Sequence, residues 1–355
     1  MNSHKLTFSI SGSAKVVLPG HGEGKATGLF RKLQDYGFEL STGMDGDYLL
    51  CVDHNAKDYK KFIRNGGSPE RATLLRLEPE SVFPSQYQSR IERKYALIFS
   101  PGRIKQEPNF WIGWPYKFAA NPNLPEANEI RFDSYMREQM AAGVYEYNNW
   151  TKRVASATLI AANKVSPIKQ ENYSIRRTLA KEIPWTNLQV YGLLWNDSFT
   201  KRIRHRLAIA FFNLKQGTLP NFVSIYGGLF NTYDSSSKEI DDKHKILRES
   251  KFSVVIENCN SYASEKLIDA LINGCIPIYI GPKLKDLGLP EDIAVEATGK
   301  PAEILEIIGS IQEDEVKEYL SSSARFLGDN QFLKNWTEDA VYTKVVDRIR
   351  DFFNI

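Results

Sequence analysis

The sequence predicts an α/β protein made of two parallel-sheet domains, and three observations predict it. Short apolar runs alternate with stretches of helical periodicity in both halves of the chain. Residues 251–282 read as one complete strand, loop, helix and strand, the connection that parallel strands require. The length of 355 residues suffices for two full cores.

In order along the chain, 6–10 reads as a strand, 28–36 as a helix, 48–52 as a strand and 56–64 as a helix. A strand over 73–77 follows and ends in Glu78-Pro79-Glu80. Then come a helix over 86–93 and a strand over 95–100 that stops at Pro101-Gly102. Alternation at this spacing implies a parallel sheet with helices on both faces. Residues 103–130 are irregular, with Trp111, Trp114, Tyr116 and several prolines, as in a loop or a binding lip.

A second series starts near Ala155, with a strand over 156–162, a helix over 173–183 and a strand over 188–192. Residues 197–245 are polar and poorly periodic. In the 251–282 unit, the apolar run 252–256 stops at Glu257-Asn258. Ser264-Glu265-Lys266 opens an amphipathic helix that ends at Asn273-Gly274, and 276–280 is the second strand. Helices over 301–311 and 313–326 come next. A long amphipathic helix over 332–353 closes the chain, with Val341, Val345, Val346, Ile349 and Phe352 at helical spacing. The expected organisation is an N-terminal domain over 1–154, a second domain over 155–330 facing it across a cleft, and a C-terminal helix over 331–355 that packs back toward the first.

Lys+Arg 46 against Asp+Glu 43 gives a net charge of +3, too balanced to suggest a nucleic-acid partner. Three cysteines without metal-ligand spacing argue against a disulfide framework and a structural zinc site. No run is apolar and long enough for a signal peptide or a membrane span, so a cytoplasmic location is expected.

Five polar groups crowd the loop of the 251–282 unit: Glu257, Asn258, Tyr262, Glu265 and Lys266. The loop lies at the carboxyl end of its strand, where α/β sheets take ligands. A helix N-terminus with a lysine beside it suits a phosphate. On local physics alone, a plain crossover helix with Lys266 solvated explains the residues equally well.

The same stretch resembles the donor-binding segment of the α-1,3-fucosyltransferases of glycosyltransferase family 10. The shared pattern is Glu257-Asn258-Cys259, then Tyr262-Ala263-Ser264-Glu265-Lys266, then Gly274-Cys275-Ile276-Pro277-Ile278-Tyr279-Ile280-Gly281. Cys259, Ala263 and Ser264 depart from that family's usual residues but approximately keep size or hydroxyl chemistry. The resemblance implies the GT-B architecture, two Rossmann-like domains, and inverting transfer of fucose from GDP-fucose to a glycan hydroxyl. It also implies that Tyr262, Glu265 and Lys266 hold the donor, Lys266 at the diphosphate. A second match upstream, Ser174-Ile175-Arg176-Arg177-Thr178-Leu179 before Val190-Tyr191-Gly192, implies a diphosphate contact from Arg176, with Arg177 the alternative. Glu78-Pro79-Glu80 resembles a family pattern whose first glutamate is the proposed base. Glu78 is then the candidate, with Glu80 the alternative.

A donor held by these groups requires neither a tightly bound cofactor nor a protein-bound divalent metal. Transfer of another nucleotide sugar, or non-catalytic glycan or nucleotide binding on the same fold, stays open as an alternative. A bacterial surface polysaccharide or lipopolysaccharide is the expected acceptor. Asp45-Gly46-Asp47 has the form of a metal-binding motif but reads better as a turn. The basic run Lys201-Arg202-Ile203-Arg204-His205-Arg206 reads as a solvated face, or as a contact with anionic lipid or a lipid-linked acceptor.

Overall fold

The computed structural model describes residues 5–13, 16–21, 26–100, 109–111, 129–231, 233 and 243–355. Its contacts divide the chain into two compact units, Met1–Pro115 with Lys334–Ile355, and Tyr116–Leu333.

The first unit contains β1 (Thr7–Gly12), α1 (Thr27–Asp35), β2 (Glu39–Ser41), β3 (Tyr48–Val52), α2 (Ala56–Arg64), β4 (Ala72–Leu75), α3 (Ser89–Glu92), β5 (Leu97–Ser100) and β6 (Asn109–Trp111). All strands pair in parallel, in the order β2-β1-β3-β4-β5-β6. Successive side chains of a strand point to opposite faces. Leu50 and Val52 of β3 thus join Phe8, Ile10, Leu75 and Phe99 on one face. Leu49 and Cys51 join Leu74, Ile98 and the α2 side chains Tyr59 and Phe62 on the other. Burial on both faces makes these strands read as unbroken apolar runs. The ends of α2 are set locally: Asn55 Oδ1 accepts the N–H groups of Lys57 and Asp58, at 3.1 and 3.2 Å.

The helix expected over 86–93 is instead a 3₁₀ turn, Pro84–Tyr87, followed by the single turn α3. Asp45-Gly46-Asp47 forms a bend against β1, where Asp47 Oδ2 accepts the Thr7 N–H at 2.8 Å and Ser9 Oγ accepts the Gly46 N–H at 2.9 Å. The lip residues Trp114 and Tyr116 lie outside the described residues, and Trp111 is described only as part of β6.

The second unit holds α4 (Glu129–Ala141), α5 (Tyr147–Thr151), β7 (Ala155–Ile160), α6 (Tyr173–Glu182), β8 (Leu188–Tyr191), α7 (Phe199–Lys215), α8 (Phe222–Tyr226), α9 (Lys243–Arg248), β9 (Ser250–Ile256), α10 (Lys266–Ile272), β10 (Ile276–Ile280), β11 (Val295–Glu296), α11 (Pro301–Ser310) and α12 (Glu313–Gly328). Its sheet is also parallel, in the order β11-β10-β9-β7-β8. The division falls well before residue 154. Trp150 of α5 packs edge-on against Phe252 of β9, ring centroids 5.6 Å apart, and its Nε1–H donates to the Lys251 carbonyl at 2.9 Å.

Residues 197–245, read as poorly periodic, contain a 17-residue helix, α7. Its buried face is Arg206, Ala210 and Asn213, so the stripe that marks most helices is not apolar here. The helix α10 is not amphipathic: every residue from Leu267 to Ile272 is buried. It stops at Gly274, whose φ of +64° suits glycine and where an added Cβ would stand 2.6 Å from the Val144 carbonyl oxygen.

The last segment is two helices, α13 (Asn330–Trp336) and α14 (Glu338–Phe353), separated at Thr337, whose Oγ1 caps α14 by accepting the Ala340 N–H at 3.3 Å. Val341, Tyr342, Val345, Val346 and Ile349 of α14 bury against Leu29, Phe30 and Leu33 of α1. Lys32 pairs with Asp339 at 2.6 Å, and the Tyr36 hydroxyl donates to Asp347 at 2.7 Å. Phe352, placed on the apolar stripe by spacing, is exposed.

Candidate functional site

In the second sheet, β8 follows β7 to one side and β9 pairs on its other side, so the strand order reverses between β7 and β9. The chain runs on from these two strands to neighbours on opposite sides, β8 and β10, and such a switch point is the usual ligand crevice of an open α/β sheet. The loop after β9 carries Glu257 to Glu265; the loop after β7 carries Lys164, Glu171 and Asn172.

The two loops are laced together. Asn172 N–H donates to the Asn258 carbonyl at 3.1 Å, and its side-chain amide donates to Asn260 Oδ1 at 2.7 Å. Cys259 bridges Glu171 on one side and Tyr262 on the other, which folds the β9 loop back on itself and buries Tyr262.

Glu257 is fully buried. Its N–H donates to the Ile280 carbonyl at 2.8 Å, extending the β9–β10 ladder by one bond. Its carboxylate accepts the Ser264 N–H at 3.0 Å and the Ser264 hydroxyl at 2.6 Å. Lys266 Nζ donates to Ser264 Oγ at 2.7 Å and lies 3.5 Å from Glu257 Oε2. A buried carboxylate needs such partners. An added Cβ at Gly281 would approach Glu257 Cγ to 2.9 Å, so a small residue at this position leaves room for that carboxylate. Lys266 keeps about a fifth of its side chain exposed.

Glu265 stands at the N-cap of α10 and is half-buried. Burial alone would raise its pKa; the positive charges of Lys266, Lys243 and Lys164, with backbone hydrogen bonding, outweigh that and hold it below the usual range. The charge of Lys164, from the other loop, thus acts on the same carboxylate.

Both arginines of α6 are buried and engaged. Arg176 Nη2 donates to the Ile256 carbonyl at 2.7 Å and to Asn258 Oδ1 at 2.9 Å, and its guanidinium lies 4.6 Å from the Tyr173 ring. Burial pushes its pKa down, against the pull of Tyr173 and Glu257. Arg177 donates to the Lys164 carbonyl at 2.8 Å and lies 3.9 Å from Glu171. Arg206 of α7 donates to the Gly227 carbonyl at 3.1 Å; burial and the charge of Arg177 push its pKa down to about 10. An opening lined by Asn163, Val165, Leu194, Asp197, Arg202, His205 and Arg206 adjoins these groups.

The switch point thus gathers Arg176, Glu257, Asn258, Tyr262, Glu265 and Lys266, all singled out from sequence. It adds Lys164, Glu171, Asn172, Ser264 and Arg206. Of these, Lys164, Glu171 and Asn172 follow a strand in sequence and carried a findable signal; Arg206, read as the end of a solvated basic run, is instead buried, because α7 turns that face inward. Such an array of cations with hydrogen-bonding groups is chemically suited to a diphosphate.

Glu78 belongs to the first unit. It follows β4 and is half-buried, while Glu80 is exposed. Its backbone is held firmly. Asp53 Oδ1 accepts the N–H groups of Leu77 and Glu78, each at 2.9 Å, and the Gln86 amide at 3.1 Å. Gln86 Nε2 and the Tyr87 hydroxyl each donate to the Glu78 carbonyl at 2.9 Å. Asp53 is buried with φ +55°, a left-handed conformation that side-chain hydrogen bonding makes tolerable for Asp. Burial pushes its pKa up.

No family model and no curated protein matches this chain. Solved structures do. The structure of Anabaena Alr3699/HepE in complex with UDP is 11% identical with a TM-score of 0.50, over 98% of this chain and 100% of that one. An α1,3-fucosyltransferase is 11% identical with a TM-score of 0.49, over 100% and 92%. An α1,3-fucosyltransferase with GDP-fucose is 12% identical with a TM-score of 0.46, over 99% and 91%. Two parallel-sheet Rossmann-like units with flanking helices, over nearly the whole chain, make this the GT-B type of fold. Among the described residues, no helix is long and apolar enough to cross a membrane.

Proposed function

We propose that this chain is a glycosyltransferase using a nucleotide-sugar donor, and that it moves fucose from GDP-fucose to a glycan hydroxyl with inversion. One observation carries the reading. The run Glu257-Asn258, Tyr262 and Glu265-Lys266, which resembles the family 10 donor segment, lies in the switch-point loop of the second sheet.

The lysine ammonium has three donors. In Lys266 they face Ser264 Oγ and, at ion-pair distance, Glu257 Oε2, which leaves one for a phosphate oxygen. Lys266, with Arg176 or Arg177, offsets the negative charge that grows on the departing GDP. Glu265, kept ionised, accepts hydrogen bonds from donor hydroxyls. Glu78, or Glu80 in its place, takes the proton from the acceptor hydroxyl as that oxygen bonds to the anomeric carbon and the bond to the diphosphate breaks. The reading includes no tightly bound cofactor and no required divalent metal, a cytoplasmic GDP-sugar donor, and a surface polysaccharide or lipopolysaccharide acceptor.

Transfer of another nucleotide sugar is the second reading, and the UDP complex of the Anabaena structure favours keeping it. The deciding experiment is a screen of GDP and UDP sugars read by nucleotide release, with and without EDTA. Release of GDP from GDP-fucose, undiminished by EDTA, is expected. Release from UDP sugars alone would replace the donor. Failure to bind GDP or UDP and to release either would leave a non-catalytic protein on a transferase fold.

A further inference from the structure

The α7–α8 region has a surface that the donor reading does not use. Residues 199–231 contain five Lys or Arg and no Asp or Glu. Nine of the fourteen exposed large apolar side chains among the described residues fall between Phe199 and Phe230. Scattered exposed leucines need no explanation, but a concentration of this kind does.

The arrangement follows from which face of α7 is buried. Arg206, Ala210 and Asn213 turn inward, with Arg206 held by the Gly227 carbonyl at 3.1 Å. Leu207, Phe211 and Leu214, at i, i+4 and i+7, therefore form a stripe on the outer side, 52%, 65% and 49% exposed. Lys201, Arg204 and Lys215 are exposed on the same helix, and Lys215 Nζ lies 5.7 Å over the Phe211 ring. Val223 at 83% and Phe230 at 80% continue the apolar surface past α8. Phe230 stacks on Phe199, ring centroids 5.3 Å apart, which ties that surface to the start of α7.

We propose that the α7–α8 face docks on an anionic lipid surface. Leu207, Phe211 and Leu214 enter the boundary between headgroups and acyl chains, and Lys201, Arg204 and Lys215 meet lipid phosphates. Charge decides against a second copy of the chain as the occupant. A two-fold self-contact would set this cationic segment against itself with no carboxylate to offset it. The inference is independent of the donor assignment.

The test is co-sedimentation with phosphatidylcholine vesicles, with and without phosphatidylglycerol. Wild-type protein is expected in the pellet with phosphatidylglycerol and released by added salt. Leu207→Glu with Phe211→Glu should lower vesicle partition at least about tenfold. Lys201→Gln with Arg204→Gln and Lys215→Gln, all exposed, should lower it roughly fivefold per charge removed, with urea unfolding as the check that the variant folds. The proposal is overturned if wild type stays in the supernatant. It is overturned equally if the Leu207→Glu, Phe211→Glu protein sediments like wild type, since binding is then plain polyanion attraction. A wild-type dimer that this variant dissolves, without lipid binding, would assign the face to self-association.

Discussion

Replacing Lys266 by alanine should have two separable effects, because the ammonium has two jobs. It stands 3.5 Å from Glu257 Oε2 and 2.7 Å from Ser264 Oγ. Removing one partner of a fully buried ion pair costs about 3–5 kcal/mol. Here Glu257 is 0% exposed but Lys266 is 21% exposed, and Glu257 keeps both hydrogen bonds from Ser264. The expected loss of unfolding free energy is therefore only about 1–2 kcal/mol. The second job is the proposed phosphate contact, a hydrogen bond between charged groups worth about 1.5–3 kcal/mol, so GDP should bind roughly 10- to 150-fold more weakly. Adding Glu257→Gln separates the two. A neutral amide no longer needs the cation, so the double variant should be more stable than the sum of the singles by about 1 kcal/mol, while GDP affinity should not recover. Urea unfolding and calorimetric GDP titration of the four proteins measure both. Strictly additive stabilities would refute the pairing argument. Unchanged GDP affinity in Lys266→Ala would refute the donor site.

Arg176→Met removes the donor of one buried and one partly buried hydrogen bond at the end of β9 and should cost about 2–3 kcal/mol in urea unfolding; a fall in GDP affinity with stability unchanged would show instead that this arginine serves the ligand alone. Glu78→Gln should lower transfer at least about a hundredfold with GDP affinity intact, and Glu80→Gln should not; the reverse pattern in a transfer assay would move the base to Glu80. His54 is held near pKa 4 rather than 6.5, by burial and then by the charges of Lys94 and Arg90. The unfolded chain therefore takes up this proton first as pH falls, and stability is lost between pH 6.5 and about 4, by at most roughly 3 kcal/mol. Unfolding of His54→Gln across that range should show a flatter pH dependence, and an identical slope would discount the histidine.

Most of the sheet framework could be read in advance because its strands are buried on both faces. Tyr48–Val52 and Ala56–Arg64 have the limits expected, since β3 is an unbroken apolar run and Asn55 caps the helix beside it. The switch-point loop was equally legible: a strand that ends in Glu257-Asn258 and resumes at Ile276 leaves its polar residues nowhere else to go. The three-residue β2 escaped notice because its half-exposed residues lack an apolar pattern. The helix α7 escaped for the opposite reason, its apolar residues facing outward.

The sequence alone determined an α/β chain with two parallel sheets, and it singled out the polar loop before Lys266 and the arginine pair of α6. Those features are local, written in apolar runs, caps and close spacing. Tertiary structure decided the rest. It engaged Arg176 with the end of β9, made Glu257 the buried partner of Ser264 and Lys266, and brought the charge of Lys164 on one loop to bear on Glu265 of another. It also turned Arg206 inward and left Phe211 outside. The contact of Arg176 with the end of β9 and the approach of Lys164 to Glu265 join residues far apart in the chain. Sequence spacing carries no signal for such contacts, because they depend on which strands become neighbours and which helix face the sheet leaves uncovered.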